Sequence, residues 1–349
     1  MMDAAELVIS RHGRIGRVRL NRPKALNSLT PGMVRAFSTA LRAFATDPEI
    51  VAVLVTGEGD RAFCAGGDIR ALYDLREQDK EPYRTFWREE YRLNAMIARF
   101  PKPYVVLMDG VVMGGGVGVS AHGNCRIVTE RTRLAMPEAT IGFIPDVGGT
   151  WLLTRRAGGA GVYMALSGET VTGADAIHVG LADVEIPSSS VERLVESVLR
   201  LDRPEDIREI LATLAQPPRR GALERHKDIL DHAMQGRDVN EILDRLRSSG
   251  APFAEAAASR IAANSPTSLV VTLRLLGMAT KAPRLEDCLT NEFRAACRLL
   301  ESHDLYEGIR AALIDKDKDP RWLPASLEEV DDGSVTAILA GDGTPDPFS

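Results

Sequence analysis

The sequence predicts an α/β fold, and three features of the 349-residue chain carry that prediction. Apolar runs of strand length alternate with segments of helical periodicity through roughly the first 200 residues. Two of those runs, residues 51–56 and 104–108, are apolar almost throughout, as strands covered on both faces are. Further on, the alternation gives way to charged sequence of helical character. The expected organisation is an α/β core over residues 1–200 and a mainly helical region over residues 201–349.

Taken in order, residues 6–10 and 14–20 read as two strands joined by a turn at His12 and Gly13. Thr30 and Pro31 open a helix. A threonine hydroxyl accepts from a first-turn amide, and proline suits the first helical position, where an N–H would be unpaired anyway. Met33, Phe37, Leu41 and Phe44 follow at helical spacing and give this helix a buried stripe. After the strand at 51–56, Asp68 reads as the cap of a helix beginning Ile69-Arg70-Ala71. The next helix carries Phe86, Tyr91 and Met96. The strand at 104–108 leads to the run Met113-Gly114-Gly115-Gly116-Val117-Gly118, which opens a small-residue helix near residues 115–121. On that helix His122 reads as a satisfied core histidine. Strands follow around 124–129 and 133–135. Pro217-Pro218-Arg219-Arg220-Gly221 reads as a loop, and residues 264–314 return to apolar periodicity.

Composition excludes several classes of function. Apolar residues make up 44% and charged residues 26%, ordinary values for a soluble globular protein. The net charge is −6 without a long block of like charge, which argues against a nucleic-acid partner. An anionic ligand needs only a local basic patch. Cys64, Cys125, Cys288 and Cys297 form no CxxC pair and stand near no histidine cluster. Scattered buried thiols in a reducing compartment fit better than a zinc site or a disulfide framework. The start, Met1-Met2-Asp3-Ala4-Ala5-Glu6, has neither signal-peptide nor transit-peptide character, and no apolar stretch reaches the length of a membrane span. A cytoplasmic protein with no membrane partner is expected. There is no G-x-S-x-G nucleophile elbow, and the glycine run does not fit G-x-G-x-x-G in register, so neither an α/β-hydrolase thioesterase nor a dinucleotide site is supported.

Four stretches carry chemistry: Ala62-Phe63-Cys64-Ala65-Gly66-Gly67-Asp68, the run around Gly115, Met136-Pro137-Glu138, and Pro145-Asp146-Val147-Gly148-Gly149. Read alone, each has two meanings. The glycines either let backbone N–H groups approach a ligand oxygen or only permit tight turns and close packing. Glu138 is either an acid for proton transfer or a first-turn glutamate favoured by the helix dipole. Asp146 is either a second acid or the N-cap of the helix holding Trp151, Leu152 and Leu153. Glu90, in Trp87-Arg88-Glu89-Glu90-Tyr91, is either a substrate-side acid or part of a solvated helix face.

Together these motifs resemble the crotonase (enoyl-CoA hydratase/isomerase) superfamily. Ser265-Pro266-Thr267-Ser268-Leu269, Glu292-Phe293-Arg294, and Glu307-Gly308-Ile309-Arg310-Ala311 with Asp315-Lys316-Asp317 are similar to its 3-hydroxyisobutyryl-CoA hydrolase branch. The resemblance thus spans nearly the whole chain. It implies a ββα spiral over roughly residues 5–200. It also implies an acyl-CoA substrate, with CoA as part of that substrate and no separate cofactor or metal.

By position, Gly67 and Gly115 match the family's oxyanion donors. Two amides held on a thioester oxygen stabilise its developing charge, and losing one such donor costs about 3 kcal/mol. Ala65 and Gly114, beside them, are expected to bind substrate. Glu138 matches the glutamate that hydratases and hydrolases share. On a thioester it would attack the carbonyl to form an anhydride or act as base on water. Asp146 matches an aspartate of the hydrolase branch, suited to bind a 3-hydroxyl and relay a proton to the leaving thiolate. Two such neighbouring carboxyls should titrate apart. Glu90 matches a substrate-side glutamate. Lys24 and Arg22 lie where the family meets CoA phosphates and adenine.

Gly118 is the departure, since hydratases carry a second catalytic glutamate there. The expected function is hydrolysis of 3-hydroxyisobutyryl-CoA in valine breakdown, with 3-hydroxypropionyl-CoA as a candidate second substrate. One alternative is an enoyl-CoA hydratase or isomerase using Glu138 with Asp146, weakened by Gly118. The other is a non-catalytic CoA-binding scaffold, weakened by the presence of both acids. The resemblance also allows a homo-oligomer, because crotonase relatives are often trimers or paired trimers.

Overall fold

The computed structural model describes residues 5–156, 158–217 and 219–349. Residues 1–4, at the start discussed above, and Pro218, within the loop expected at 217–221, lie outside the described residues. The strands are β1 (Leu7–His12), β2 (Ile15–Leu20), β3 (Ala52–Gly57), β4 (Ala62–Cys64), β5 (Tyr104–Met108), β6 (Val111–Met113), β7 (Cys125–Val128), β8 (Arg133–Ala135), β9 (Val171–Thr172) and β10 (Val184–Glu185).

They form a six-stranded sheet in the order β1-β2-β3-β5-β7-β10 and a four-stranded sheet in the order β4-β6-β8-β9. β1 and β2 are an antiparallel hairpin with Leu7 opposite Leu20. From β2 to β10 the large sheet is parallel. The chain repeatedly makes a strand of the large sheet, then a strand of the small one, then a helix or turn. β3-β4, β5-β6 and β7-β8 are the successive pairs. This is the ββα order that the motifs implied.

Local chemistry explains the elements. β5 is buried at every position and β3 at all but its last, which is why their sequences show no alternation. The helix Pro31–Thr46 opens as expected, with Thr30 Oγ1 accepting from Met33 N at 3.3 Å. Met33, Phe37 and Leu41 are buried along it, and Phe44 is half-buried. One face of the large sheet packs Ile15, Leu54, Val105, Leu107 and Ile127 against Leu194 and Val198 of the helix Val191–Leu199. Burial of each such side chain is worth about 1.5–3 kcal/mol.

The expected helix near residues 115–121 is a single turn, Gly115–Gly118. Three glycines in four residues give it little intrinsic helicity. Ser120 then donates its hydroxyl back to Gly116 O at 2.6 Å, and the chain continues in turns to β7. His122 therefore sits in a turn rather than on a helix, half-buried and partnered.

The chain divides into two compact units, each drawn from three stretches. The first runs to Gly67 and adds Arg92–Leu134 and Val171–Gly221, and it carries the sheets. The second comprises Asp68–Tyr91, Ala135–Thr170 and Ala222–Ser349, and it is helical. Its longer members include Pro252–Ala262, Pro266–Ala279 and Leu285–Leu299. Leu269, Leu276, Leu289 and Phe293 fill its interior, and Tyr163 and Phe253 meet with ring centroids 5.8 Å apart. The apolar periodicity expected over residues 264–314 is the buried face of these last helices.

Candidate active site

The two glycine segments adjoin within the first unit. A Cβ on Gly116 would collide with the Cys64 carbonyl oxygen, and one on Gly66 would lie 3.5 Å from Gly115 N. Glycine is required at Gly116 because backbone passes over backbone there. Among the described residues, neither the Gly67 nor the Gly115 amide donates a hydrogen bond. Two unspent amides on neighbouring segments are what an oxyanion site needs. Gly114 closes the turn, its carbonyl accepting from Val117 N and Gly118 N, and Ala65 N donates to Leu26 O at 3.0 Å.

The choice between Arg22 and Lys24 is also a matter of geometry. Arg22 is committed, through Nη1 to Ser28 O at 2.7 Å and through Nε to Glu6 at 3.0 Å. Lys24 stands exposed on the 3-10 turn Pro23–Ala25 and has no partner among the described residues. Asn27 was not singled out from the sequence, but it braces this turn. Its side chain accepts from Arg22 N and donates to Glu58 O and Ala62 O.

The acids belong to the second unit. Glu90, Glu138 and Asp146 are all buried, as is Glu292. Glu90 lies on the helix Glu81–Ala98 and is 2% exposed, so the solvated-face reading fails. Trp87, one turn earlier, stacks on Phe143 at 5.2 Å. Glu138 does begin a helical turn, the 3-10 segment Glu138–Ile141, but its Oε2 has no partner among the described residues. Asp146 is not an N-cap. The helix Gly149–Arg155 is capped by Gly148 without a side-chain bond, and Asp146 Oδ2 accepts from the Tyr91 hydroxyl at 2.7 Å. Asp68 caps its own helix, accepting from Ala71 N at 3.4 Å.

The carboxyls act on one another's ionisation. Burial, and then the Asp146 charge, holds Glu90 well above the usual carboxylate range. Burial and the Asp146 charge raise Glu138 in the same way, with Glu292 and Glu90 adding to the effect. Burial pushes Asp146 up to about 7, against the Tyr91 hydroxyl and a backbone bond that pull it down. Because the Asp146 charge raises both glutamates, the set shares its protons rather than ionising fully.

The turn carrying Asp146 is strained. Val147 has φ 53°, a left-handed conformation that costs a β-branched residue about 1–2 kcal/mol. Gly148 follows at φ 80°, and Gly149 N donates to Asp146 O at 2.6 Å. Glu292, on the helix Leu285–Leu299, meets this turn. Its Oε2 accepts from Gly148 N at 2.7 Å, and its Oε1 accepts from Thr150 N at 3.0 Å and from the Thr150 hydroxyl. Sequence reasoning gave Tyr91 and Glu292 no role. Tyr91 reads as a member of an apolar stripe. The signal for Glu292 was an acid between Leu289, Phe293 and Ala296 on a buried face. Among the described residues no group of three or more His, Cys, Asp or Glu side chains is arranged to hold a metal. No helix among them is long and apolar enough to cross a membrane.

Comparison with known proteins agrees with this geometry. The family model for enoyl-CoA hydratase/isomerase matches residues 15–339. The rat and human proteins named 3-hydroxyisobutyryl-CoA hydrolase, mitochondrial, are 40% and 38% identical to the chain. Each alignment covers 99% of this chain and 91% of the relative. A crystal structure described as a carnitinyl-CoA dehydratase from Mycobacterium thermoresistibile aligns with a TM-score of 0.93 at 45% identity, covering 98% of both chains. One described as an enoyl-CoA hydratase from Rhodobacter sphaeroides 2.4.1 aligns at 0.89 and 39%, covering 97% of this chain and 98% of its own. With the ββα order, the adjoining glycine segments and the buried acids in place, the chain belongs to the enoyl-CoA hydratase/isomerase family and has the crotonase fold.

Proposed function

We propose that this protein is an acyl-CoA thioester hydrolase that converts 3-hydroxyisobutyryl-CoA to the free hydroxy acid and CoA. The observation that carries the reading is 38–40% identity, over nearly the full length, to proteins of that name. The buried acids supply the chemistry. In this reading the Gly67 and Gly115 amides receive the thioester oxygen while Glu138 acts at the carbonyl carbon. Either its carboxylate adds there, giving an anhydride that water later opens, or it takes a proton from the water that adds. In both routes the C–S bond breaks and protonated Asp146 gives its proton to the departing thiolate. An Asp146 that titrates near 7 is present in both forms around neutrality, which suits a group that must lose and regain a proton. The unpartnered Oε2 of Glu138 supports its role as the attacking or proton-accepting oxygen.

Asp146 also reads the 3-hydroxyl in this proposal, Glu90 bounds the acyl side with Ala65 and Gly114, and Lys24 meets the CoA phosphates. No separate cofactor takes part. A role in valine breakdown, 3-hydroxypropionyl-CoA as a second substrate, and a cytoplasmic homo-oligomer belong to the same proposal. The free thiols at Cys64, Cys125, Cys288 and Cys297 support a reducing compartment. Cell fractionation and size-exclusion chromatography check compartment and assembly.

The solved structures described as a hydratase and a dehydratase favour a second reading, addition or loss of water on the acyl chain. Gly118 weighs against it, because that chemistry places a second acid where this chain has no side chain. Two assays separate the readings. We expect free thiol from 3-hydroxyisobutyryl-CoA and no loss of the conjugated absorbance of crotonyl-CoA. Rapid hydration of crotonyl-CoA without thiol release would replace the hydrolase reading with the second one.

A further inference from the structure

We propose that Glu292 is a positioning residue for this reaction: it occupies the amides of the Asp146 turn, so that Asp146 cannot cap its own turn and stays free for the substrate. The proposal rests on the hydrolase reading given above for what Asp146 then does. Its structural part stands on the turn alone.

The first amides of any helix need an acceptor from outside the helix. Here the helix Gly149–Arg155 begins after Gly148, which offers no side chain. The natural local acceptor is Asp146. An aspartate readily accepts from the N–H two residues on, which is Gly148 N. The structure assigns that amide elsewhere. Gly148 N and Thr150 N both donate to Glu292, 144 and 142 residues away, and the Thr150 hydroxyl joins them. Asp146, relieved of capping, turns its carboxylate to the Tyr91 hydroxyl at 2.7 Å.

The backbone shows which way the turn would relax. Val147 is held at φ 53° between the two anchors, Asp146 on Tyr91 and Gly148 on Glu292. Without the second anchor the turn loses the bond that fixes its Gly148 end, and Asp146 gains a vacant amide next door. Glu292 is fully buried, and burial pushes its carboxyl up to about 8 against the bonds from Thr150 and Gly148 that pull it down. Leu289 and Phe293 beside it are equally buried, so an apolar residue would suit that helix face as well. The acid is placed for the three donors it meets.

The test compares Glu292→Gln and the milder Thr150→Val with wild type, each also in an Asp146→Asn background. Glutamine presents an NH2 to one of two N–H donors, so the clamp opens on one side. Displacing a catalytic group by about 1 Å costs up to about 100-fold. Glu292→Gln should therefore lose about 10- to 100-fold in kcat, with KM little changed. It should also lose its preference for 3-hydroxyisobutyryl-CoA over isobutyryl-CoA. Thr150→Val, which keeps both amide bonds, should move the same way by a smaller factor. In the Asp146→Asn background neither change should cost more than about two-fold, because residues that act as a unit are not additive. A crystal structure of Glu292→Gln should show Asp146 turned from Tyr91 toward Gly148 N. Unchanged preference in a folded Glu292→Gln, or an equal further loss in the Asp146→Asn background, would overturn the proposal. So would Asp146 still seated on Tyr91, whatever the substrate proves to be. A wild-type protein that releases no thiol would instead defeat the hydrolase reading, and the crystal structure would still decide the clamp.

Discussion

Removing the Asp146 charge should stabilise this protein, and only where that charge exists. Asp146 titrates near 7 in the fold, against a usual 3.8. At about 1.4 kcal/mol per unit, ionising it costs the folded state about 4 kcal/mol once the pH exceeds 7. The sign follows from which state holds the proton more tightly. The folded pKa is the higher one, so the penalty is absent below about pH 4, grows as the unfolded aspartate ionises, and is complete above about pH 7. Asp146→Asn has no such titration and keeps an oxygen for the Tyr91 hydroxyl. The value near 7 already includes the Tyr91 bond to the charged form, so asparagine, like the protonated acid, escapes the whole penalty. The variant should therefore exceed wild type by about 4 kcal/mol near pH 8 and by about 1.5 kcal/mol near pH 5. Urea unfolding at the two pH values, with the slope checked for equality, measures both differences. A gain that does not change with pH, or a loss near pH 8, would refute the claim that Asp146 is ionised at the fold's expense. If the gain is found in an inactive variant, it is a stability–function trade at the site.

Thiol release by the wild type should fall, as the pH drops, well above the usual glutamate range, because burial and the Asp146 charge both hold the Glu138 proton on; a pH profile of kcat/KM measures it. Glu138→Gln should bind a CoA ester within a few-fold of wild type while turnover drops by about 100-fold or more, read by isothermal titration beside a thiol assay. 3-Hydroxyisobutyryl-CoA should be hydrolysed faster than isobutyryl-CoA, since a group placed to pair with a hydroxyl is left unpaired without one; equal rates would remove Asp146 from that role. Gly116→Ala should destabilise the fold by about 1–3 kcal/mol in thermal melts, because its methyl group runs into the Cys64 carbonyl oxygen, which is backbone and cannot swing aside.

What the sequence could disclose depended on how local the cause was. The cap at Thr30, the two-sided burial of β3 and β5, and the cap at Asp68 are settled by residues within a few positions, and they were legible. Glu138 and Asp146 were legible as acids because their motifs match a family, yet their surroundings were not. Asp146 reads from the sequence as an N-cap, and only the fold shows that Gly148 holds that place while Glu292 takes the amides of the turn. Tyr91 lies at the spacing of a core aromatic, and nothing nearby in the sequence tells that its hydroxyl meets an acid 55 residues on. The glycine run illustrates the opposite failure. Its position after a strand was right, but the expected length was not, since glycine gives a helix too little reason to continue past one turn.

The bond between Glu292 and the Asp146 turn bears on how such a protein can be inherited. If Asp146 does its work only while Glu292, 144 positions beyond Gly148, holds that turn, one substitution on a shorter ancestor does not suffice to gain it. The late helix has to be present first, or arrive with it. Natural variants that trim or replace the segment around Leu285–Leu299 should therefore have lost the aspartate as well, or turned it into an ordinary helix cap. A survey of related genes for this paired presence and absence would trace the order in which the parts were assembled.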